Sequence, residues 1–119
     1  MRRFTAKPTW IDGHRFASKA EAKRYAHLMN LTRVGIIRDL VLQERFDLVV
    51  NGVKIGFYKA DFSYTVDATD QRVVEDVKAR REPVFVIKKK LVKALHGVTI
   101  QEVDWKSYKA ISAALKCAA

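Results

Sequence analysis

The spacing of apolar residues predicts a helix near the start of the chain. Ser18 and Glu21 stand three residues apart, which is the arrangement of a capping box at a helix N-terminus. Apolar residues such as Tyr25 and Leu28 then follow at three- and four-residue steps, so that they form one stripe along the helix. The predicted helix begins at Ser18 and ends near Gly35, a residue that suits a helix terminus.

The pattern changes to alternation after this helix, as is typical of strands. We predict a first strand over Val41–Val50 and a tight hairpin at Asn51-Gly52, because Asn-Gly is the strongest short signal for such a turn. The returning strand is predicted to run from Val53 to about Val66. A polar turn then leads into a third strand over Arg72–Lys78.

The remaining sequence predicts a helix, a strand and a last helix. Pro83 suits a first helical turn, so we predict a helix over Val84–Leu95 and a fourth strand over Val98–Val103. Asp104 is expected to cap a last helix that runs through Lys116. Because a helix connects the third and fourth strands, these two should be parallel. The predicted fold class is α/β, with a mixed central sheet of antiparallel hairpin strands plus a parallel strand, flanked by helices.

The chain has 119 residues, the size of one domain. We divide it into a basic N-terminal arm over residues 1–17, irregular and ending in a turn at Asp12-Gly13, and a single domain over residues 18–119. The single cysteine, Cys117, excludes an internal disulfide. No apolar run approaches the ~20 residues that span a bilayer, and no apolar segment of the signal-peptide type follows the basic N-terminus.

The charge balance indicates a polyanionic partner. The chain carries 23 Lys and Arg residues against 13 Asp and Glu residues, a net charge of +10. Nucleic acid is the first partner to consider for such a protein. The alternatives are a charge that only keeps the protein soluble and a ribosome-like contact with RNA that involves no chemistry.

Two aspartates in neighbouring predicted strands are the main candidates for chemistry. Alternation places Asp61 on one face with Lys59, and it places Asp76 on one face with Lys78. If the two strands pair around the turn at residues 67–71, Asp61 approaches Asp76, although the sequence leaves the register open. Adjacent carboxylates repel each other, and a hard divalent cation such as Mg²⁺ relieves that repulsion. An ammonium group beside them can orient a water or stabilise charge on a phosphate.

Simpler roles also account for these acids. Asp76 could form a surface ion pair with Lys78, and Asp61 with Lys59, as charges on an exposed sheet face commonly do. The aromatic and valine-rich surroundings of the two aspartates argue against this explanation. Glu21 has a sufficient role in the capping box, and a capping and a catalytic role are compatible for it.

An ordered set of residues runs through the chain: Glu21 in the first helix, Asp61 in Ala60-Asp61-Phe62, and the acid-x-lysine sequence Asp76-Val77-Lys78. This layout resembles that of the PD-(D/E)xK nuclease superfamily. Ala60 replaces the proline that usually precedes the first aspartate, a departure that leaves the ligand set intact.

The resemblance extends over roughly residues 10 to 105. Landmarks such as Phe16-Ala17-Ser18-Lys19-Ala20-Glu21-Ala22, Asn51-Gly52-Val53-Lys54-Ile55-Gly56 and Val73-Val74-Glu75-Asp76-Val77-Lys78 are similar to those of a family of small phage-encoded proteins. Within the superfamily, the layout is most similar to endonuclease I-type Holliday-junction resolvases.

The resemblance implies a restriction-endonuclease-like core and a role for each matched residue. Asp61 and Asp76 would hold Mg²⁺, or Mn²⁺ in its place, with the backbone carbonyl of Val77. Glu21 would bind a second metal or a metal-bound water. Lys78 would position or activate the attacking water and stabilise the transition state.

Two further residues, Glu75 and Gln43, are candidates for roles at this site. Glu75 is the rival of Asp76 as metal ligand, and the spacing of two residues between Asp76 and Lys78 favours Asp76, since Glu75 should face the other side of the strand. Gln43, on the first strand, is expected to contact the substrate or a metal-bound water.

Basic residues are expected around this site, where they would bind phosphate without reading sequence. They belong to the first helix, the end of the third strand and the helix that follows it: Lys19, Lys23, Arg24, Arg80, Arg81, Lys88, Lys89, Lys90 and Lys93. A solvated helix face is the other explanation for the run at residues 88–90.

Together these expectations describe a Mg²⁺-dependent DNA endonuclease, and specifically a phage Holliday-junction resolvase that acts on branched DNA. Because a resolvase cuts two strands symmetrically, we expect a homodimer. The alternatives are a nicking or recombination nuclease of the same fold without junction preference, and a non-catalytic nucleic-acid-binding protein. The expected compartment is the cytoplasm, that of the host cell if the protein is phage-encoded, with no membrane partner.

Overall fold

The computed structural model describes residues 9–77 and 82–103, which form eight strands and two helices. In chain order these are β1 (Thr9–Ile11), β2 (His14–Phe16), α1 (Lys19–Arg33), β3 (Ile37–Leu42), β4 (Arg45–Val50), β5 (Val53–Lys59), β6 (Phe62–Val66), β7 (Gln71–Val77), α2 (Pro83–His96) and β8 (Ile100–Val103). The helix predicted after Asp104 and the predicted site residues Lys78, Arg80 and Arg81 lie outside the described residues.

The segment before α1 differs from the irregular arm that the sequence predicts. β1 and β2 form a hairpin in which Thr9 lies opposite Phe16. Asp12 and Gly13 adopt φ angles of 52° and 78°, and two positive φ angles in succession are the geometry of a tight type I′ hairpin turn. The prediction of an irregular arm is therefore wrong for residues 9–16, where the flanking strands are too short to show an alternating pattern. Phe16 is buried against Tyr25 in the same core as α1.

Helix α1 begins where the capping box predicts. The Ser18 side chain accepts a hydrogen bond from the backbone N–H of Glu21 at 3.2 Å. The apolar stripe of the helix, which includes Leu28, packs on Phe62 of β6 and forms one of two hydrophobic clusters. The helix ends at Arg33. Packing of this stripe holds α1 across the sheet that carries the candidate acids.

Asn51-Gly52 turns the chain between β4 and β5, as predicted, with φ angles of 51° and 77°. The strands on either side of this turn are shorter than predicted. The single strands predicted over residues 41–50 and 53–66 are each two strands, β3 with β4 and β5 with β6. Those two predictions are therefore wrong in their continuity.

Strands β3 and β4 on one side and β5 and β6 on the other form one long hairpin with a break in the middle. The break lies at residues 43–44 on the first side and at residues 60–61 on the second. Leu42 is opposite Phe62 before the break and Arg45 is opposite Lys59 after it, so the pairing register is preserved. Gln43 takes a left-handed φ of 58°, which interrupts the regular extended backbone. Because of the break, Asp61 lies between β5 and β6 and belongs to neither strand.

Strands β3, β6, β7 and β8 form a four-stranded sheet in that order. β6 and β7 are antiparallel, with Ser63 opposite Val74, and β7 and β8 are parallel, with Val74 opposite Ile100. Helix α2 makes the connection between the parallel strands. The predicted α/β class with a mixed sheet flanked by helices is confirmed.

Helix α2 starts with Pro83 and ends before Gly97, whose φ of 70° provides a left-handed terminus. Its buried residues Phe85 and Val92 join Phe46 and Tyr58 in the second hydrophobic cluster. This cluster fixes the β4–β5 hairpin against the helix. Within residues 9–77 and 82–103, neither helix is long and apolar enough to cross a membrane.

Candidate functional site

Asp61 lies against Asp76 at the break in the long hairpin. The backbone N–H of Asp61 donates to the carbonyl of Glu75 at 3.1 Å, and the backbone N–H of Val77 donates to Oδ2 of Asp61 at 2.7 Å. Asp61 therefore lies beside the segment Glu75–Val77, which contains Asp76. Asp76 is 2% exposed. The approach of the two aspartates that alternation predicts is therefore present, and the open question of register is answered.

The pair is a like-charge site that is largely withdrawn from water. Burial, followed by the charges of Asp76 and Glu21, raises the pKa of Asp61 to about 8. The hydrogen bond from Val77 acts in the opposite direction, because it favours the charged carboxylate. At neutral pH the pair therefore holds a proton unless a cation takes its place.

The simpler explanation of surface ion pairs does not account for Asp61. No ion pair between Asp61 and Lys59 is present in the described part of the chain, and Lys59 Nζ instead lies 5.9 Å from the centre of the Phe57 ring. Whether Asp76 pairs with Lys78 stays a prediction, because Lys78 lies outside the described residues.

Glu21 stands near the aspartate pair at the start of α1. Glu21 is 8% exposed, and its charge is one of the causes that raise the pKa of Asp61. Nε2 of Gln43 donates to Oε1 of Glu21 at 3.5 Å, a long hydrogen bond that links the break to the helix. Glu21 thus both belongs to the capping arrangement and faces the site. Gln43 lies between β3 and β4 rather than within a strand, and it is solvent-exposed.

Tyr58 is a site residue that the sequence pattern places on the wrong face. Strict alternation from residue 53 to residue 66 sets Tyr58 opposite to Asp61, yet its hydroxyl donates a short hydrogen bond to Oδ2 of Asp76. The alternation does not carry across the break, because β5 and β6 belong to different sheets. Burial, followed by Asp76, raises the pKa of the Tyr58 hydroxyl, so it remains a hydrogen-bond donor.

Glu75 has a separate role from its neighbour Asp76. It is fully buried, and both of its oxygens accept hydrogen bonds from Arg24, at 2.7 and 2.5 Å. The hydroxyl of Tyr64 also donates to Glu75. The side chain of Glu75 is therefore committed to this network, and Asp76 is the acid beside Asp61.

Arg24 is not a surface residue, so the prediction that it binds nucleic acid is wrong. It is 1% exposed, and its guanidinium faces the interior, where it neutralises Glu75. A sequence pattern shows only that Arg24 follows the basic Lys23 on α1. The buried partner lies 51 residues away and is visible only in the fold.

The other predicted phosphate-binding residues that are described occupy two helices. Lys19 and Lys23 are exposed on α1, and Lys90 and Lys93 are exposed on α2. Lys88 and Lys89 are half-buried, and Lys89 forms an ion pair with Glu102 at 2.7 Å. Lys89, Lys90 and Lys93 line a cavity of about 480 Å³ beside β8.

The donor set suits a divalent cation that takes few protein ligands. Mg²⁺ is commonly held by one or two carboxylates together with substrate phosphates and water. Asp61 and Asp76 supply two carboxylates, and Glu21 lies nearby. Within residues 9–77 and 82–103, no group of three or more His, Cys, Asp and Glu side chains converges to hold a metal. Two carboxylates, with Glu21 beside them, are the donor set that the described residues bring together here.

Comparison with known proteins places the chain in a family. A family model described as a protein of unknown function (DUF1064) matches residues 1–112. No curated protein and no solved structure matches the chain. Because the family match spans nearly all of the sequence, the chain belongs to the DUF1064 family.

Proposed function

We propose that this protein is a metal-dependent DNA endonuclease that hydrolyses phosphodiester bonds with Mg²⁺, for which Mn²⁺ can substitute. The observation that carries the proposal is the desolvated Asp61–Asp76 pair inside a protein of net charge +10. A protein that only bound DNA by charge would gain nothing from two adjacent carboxylates, since they repel phosphate. A divalent cation held between the carboxylates would coordinate a phosphate oxygen and so offset that repulsion.

The proposed roles follow the chemistry of each group. Asp61 and Asp76, with the carbonyl of Val77, would hold the cation, which supplies charge neutralisation at the phosphate and a more acidic bound water. Tyr58 fixes the orientation of Asp76 through its hydrogen bond. Glu21 would orient water at the edge of the site, and Lys78 would position the attacking water.

The fold that best accommodates these roles is a restriction-endonuclease-like core. Three features support it: α1 precedes the sheet and carries Glu21, the antiparallel pair β6–β7 follows Asp61 and carries Asp76, and α2 leads to a parallel strand.

The preferred substrate in this proposal is branched DNA, cut as a Holliday-junction resolvase would cut it, with a homodimer acting on two strands. A nicking or recombination nuclease of the same fold is the nearest enzyme alternative. The proposed location is the cytoplasm, where DNA and a reducing environment suit a chain with one cysteine.

The test is cleavage of a labelled four-way junction, a matched linear duplex and a single strand, each with Mg²⁺ and with Mn²⁺. Wild type should cut the junction, and Asp76→Asn and Lys78→Ala should lose at least about a hundredfold in rate, the scale of general acid–base and electrostatic groups. Asp67→Asn is the matched control, because it removes one exposed carboxylate from the turn between β6 and β7.

The outcomes separate the alternatives. A wild type that cuts none of the substrates with either metal would sink the enzyme proposal and leave a non-catalytic nucleic-acid-binding protein. Cutting of all substrates at similar rates would favour the nuclease without junction preference. Sedimentation that gave only the 13.6 kDa monomer, with and without junction DNA, would exclude the homodimer.

A further inference from the structure

A half-exposed aromatic ring surrounded by cations lies outside the acidic site. Phe57 of β5 is 39% exposed, while the next residue, Tyr58, is buried. The guanidinium carbon of Arg45 lies 4.1 Å from the centre of the Phe57 ring. Lys88 Nζ on α2 and Lys59 Nζ lie 5.6 and 5.9 Å from the same centre. We call Arg45, Phe57, Lys59 and Lys88 the Phe57 patch.

Cation–π contacts stabilise this arrangement but do not account for its exposure. Each cation lies within the ~6 Å at which a ring face attracts it. A ring needed only for packing would be covered as Tyr58 is, whereas the Arg45 side chain that lies over Phe57 is itself 46% exposed. A guanidinium supported on a ring presents a flat cationic surface to solvent. Such surfaces, and the ring beneath, stack nucleobases.

The charges around the patch select the kind of partner. The same strand pair carries a further cation, Lys54, and an acid, Asp47. Oδ1 of Asp47 lies 3.0 Å from Nε of Arg45 and 3.8 Å from Nζ of Lys54. Association of this face with a second copy of the chain would bring these cations against each other. A polyanion that also carries flat aromatic groups satisfies both the charge and the ring.

We propose that the Phe57 patch binds a single-stranded stretch of nucleic acid by stacking a base on Phe57 and Arg45, while Lys59 and Lys88 bind the adjacent phosphates. The proposal extends the proposed nuclease function, because Phe57 precedes Asp61 by four residues on one segment. Four residues span at most about 14 Å of backbone between Phe57 and Asp61. Single-stranded nucleic acid bound at the patch would therefore lie close to the candidate site.

The test measures binding without cleavage. Labelled oligo(dT) and a labelled duplex are titrated with protein in EDTA, and fluorescence anisotropy reports the dissociation constants. Phe57→Ala should weaken oligo(dT) binding about fivefold to hundredfold, the range for loss of one stacked base, and should weaken duplex binding much less. Phe57→Trp should retain binding, because it keeps an aromatic face. Ile55→Ala, which shortens an exposed apolar residue of the same strand, should leave binding within about twofold.

A salt titration tests Lys88 as a phosphate contact. Lys88→Ala should reduce the slope of log affinity against log salt by about 0.7 on the single strand, the value for one phosphate contact. Thermal unfolding of each variant confirms that the fold is kept.

The proposal would be overturned if wild type and Phe57→Ala bound oligo(dT) equally well. It would also be overturned if Ile55→Ala weakened oligo(dT) binding as much as Phe57→Ala does. A wild type that self-associates in sedimentation and is made monomeric by Phe57→Ala would assign the patch to a second copy instead. Because the assay contains no divalent metal, failure here is distinct from failure of cleavage. A protein that cuts no DNA but binds oligo(dT) through Phe57 would refute the nuclease and keep the patch.

Discussion

Metal binding at the Asp61–Asp76 pair should compete with a proton, and the competition can be calculated. The pKa of Asp61 is about 8 because the group is buried beside Asp76 and Glu21. A cation needs the ionised pair, so the apparent affinity should fall about tenfold for each pH unit below that value. Between about pH 8 and pH 6 the apparent dissociation constant for Mn²⁺ should rise about 50-fold.

Isothermal titration calorimetry with Mn²⁺ measures both the affinity and the proton. Titrations at one pH in two buffers of different ionisation enthalpy should show release of about one proton per metal at neutral pH. Asp76→Asn should bind Mn²⁺ more weakly and with a smaller pH dependence, because the neighbouring charge that raises the pKa of Asp61 is gone. Asp67→Asn serves again as the control and should behave as wild type. An affinity that is the same at pH 6 and pH 8 would refute the reasoning.

The same proton affects stability in the absence of metal. The folded state holds a proton on the pair that the unfolded chain releases near the ordinary value of 3.8, so this group stabilises the fold at low pH. Its contribution should be lost as the pH rises from 3.8 to about 8. Relative to Asp61→Asn, wild type in EDTA should therefore become less stable across that interval in denaturant titrations, and saturating Mn²⁺ should reverse the loss. A constant difference between the two proteins would contradict the raised pKa.

Three further experiments test the buried ion pair, the site tyrosine and the end of α2. Arg24→Met should lower the free energy of unfolding by about 3–5 kcal/mol, because it leaves Glu75 buried without its partner, and Glu75→Leu in the same chain should recover most of the loss in urea titrations; equal losses in the single and double variants would contradict this. Tyr58→Phe should keep the fold and slow single-turnover cleavage about tenfold, since Asp76 loses a charge-assisted hydrogen bond; an unchanged rate would show that the hydroxyl has no positioning role. Gly97→Ala should lower the free energy of unfolding by about 1–2 kcal/mol through backbone strain, because the φ of Gly97 is 70° and no non-local atom of residues 9–77 and 82–103 lies within 4 Å of the added methyl group.

Local signals were sufficient for the parts of the fold in which one short segment determines its own geometry. The capping pair Ser18 and Glu21 locates the start of α1, and the Asn51-Gly52 turn locates the hairpin. Pro83 and Gly97 delimit α2 in the same way. Each of these signals acts through the backbone of a few neighbouring residues, so a sequence shows it directly.

The break at residues 43 and 61 shows the limit of such signals. Gln43 is not a residue type that favours its left-handed φ of 58°, and the residues beside it in the sequence give no turn signal. The Gln43 N–H still donates to the carbonyl of Asp61 at 3.2 Å, so the two segments stay paired through the break. Alternation alone places Tyr58 on the face opposite to Asp61, because the break between β5 and β6 is visible only in the folded chain.

Burial alone does not distinguish a structural acid from a candidate metal ligand, as the consecutive residues Glu75 and Asp76 demonstrate. Both are almost fully buried, at 0% and 2% exposure. Glu75 meets the guanidinium of Arg24, and its charge is neutralised within the protein. Asp76 meets Asp61, and after burial the charge of Asp76 is the next cause that raises the pKa of Asp61. The alternation of β7 separates the two environments, since a shift of one residue would exchange them. A bound cation is therefore expected at Asp76 and not at Glu75, because the neighbour of Asp76 is an acid and the neighbour of Glu75 is an arginine. The register of β6 against β7 determines which neighbour each residue meets.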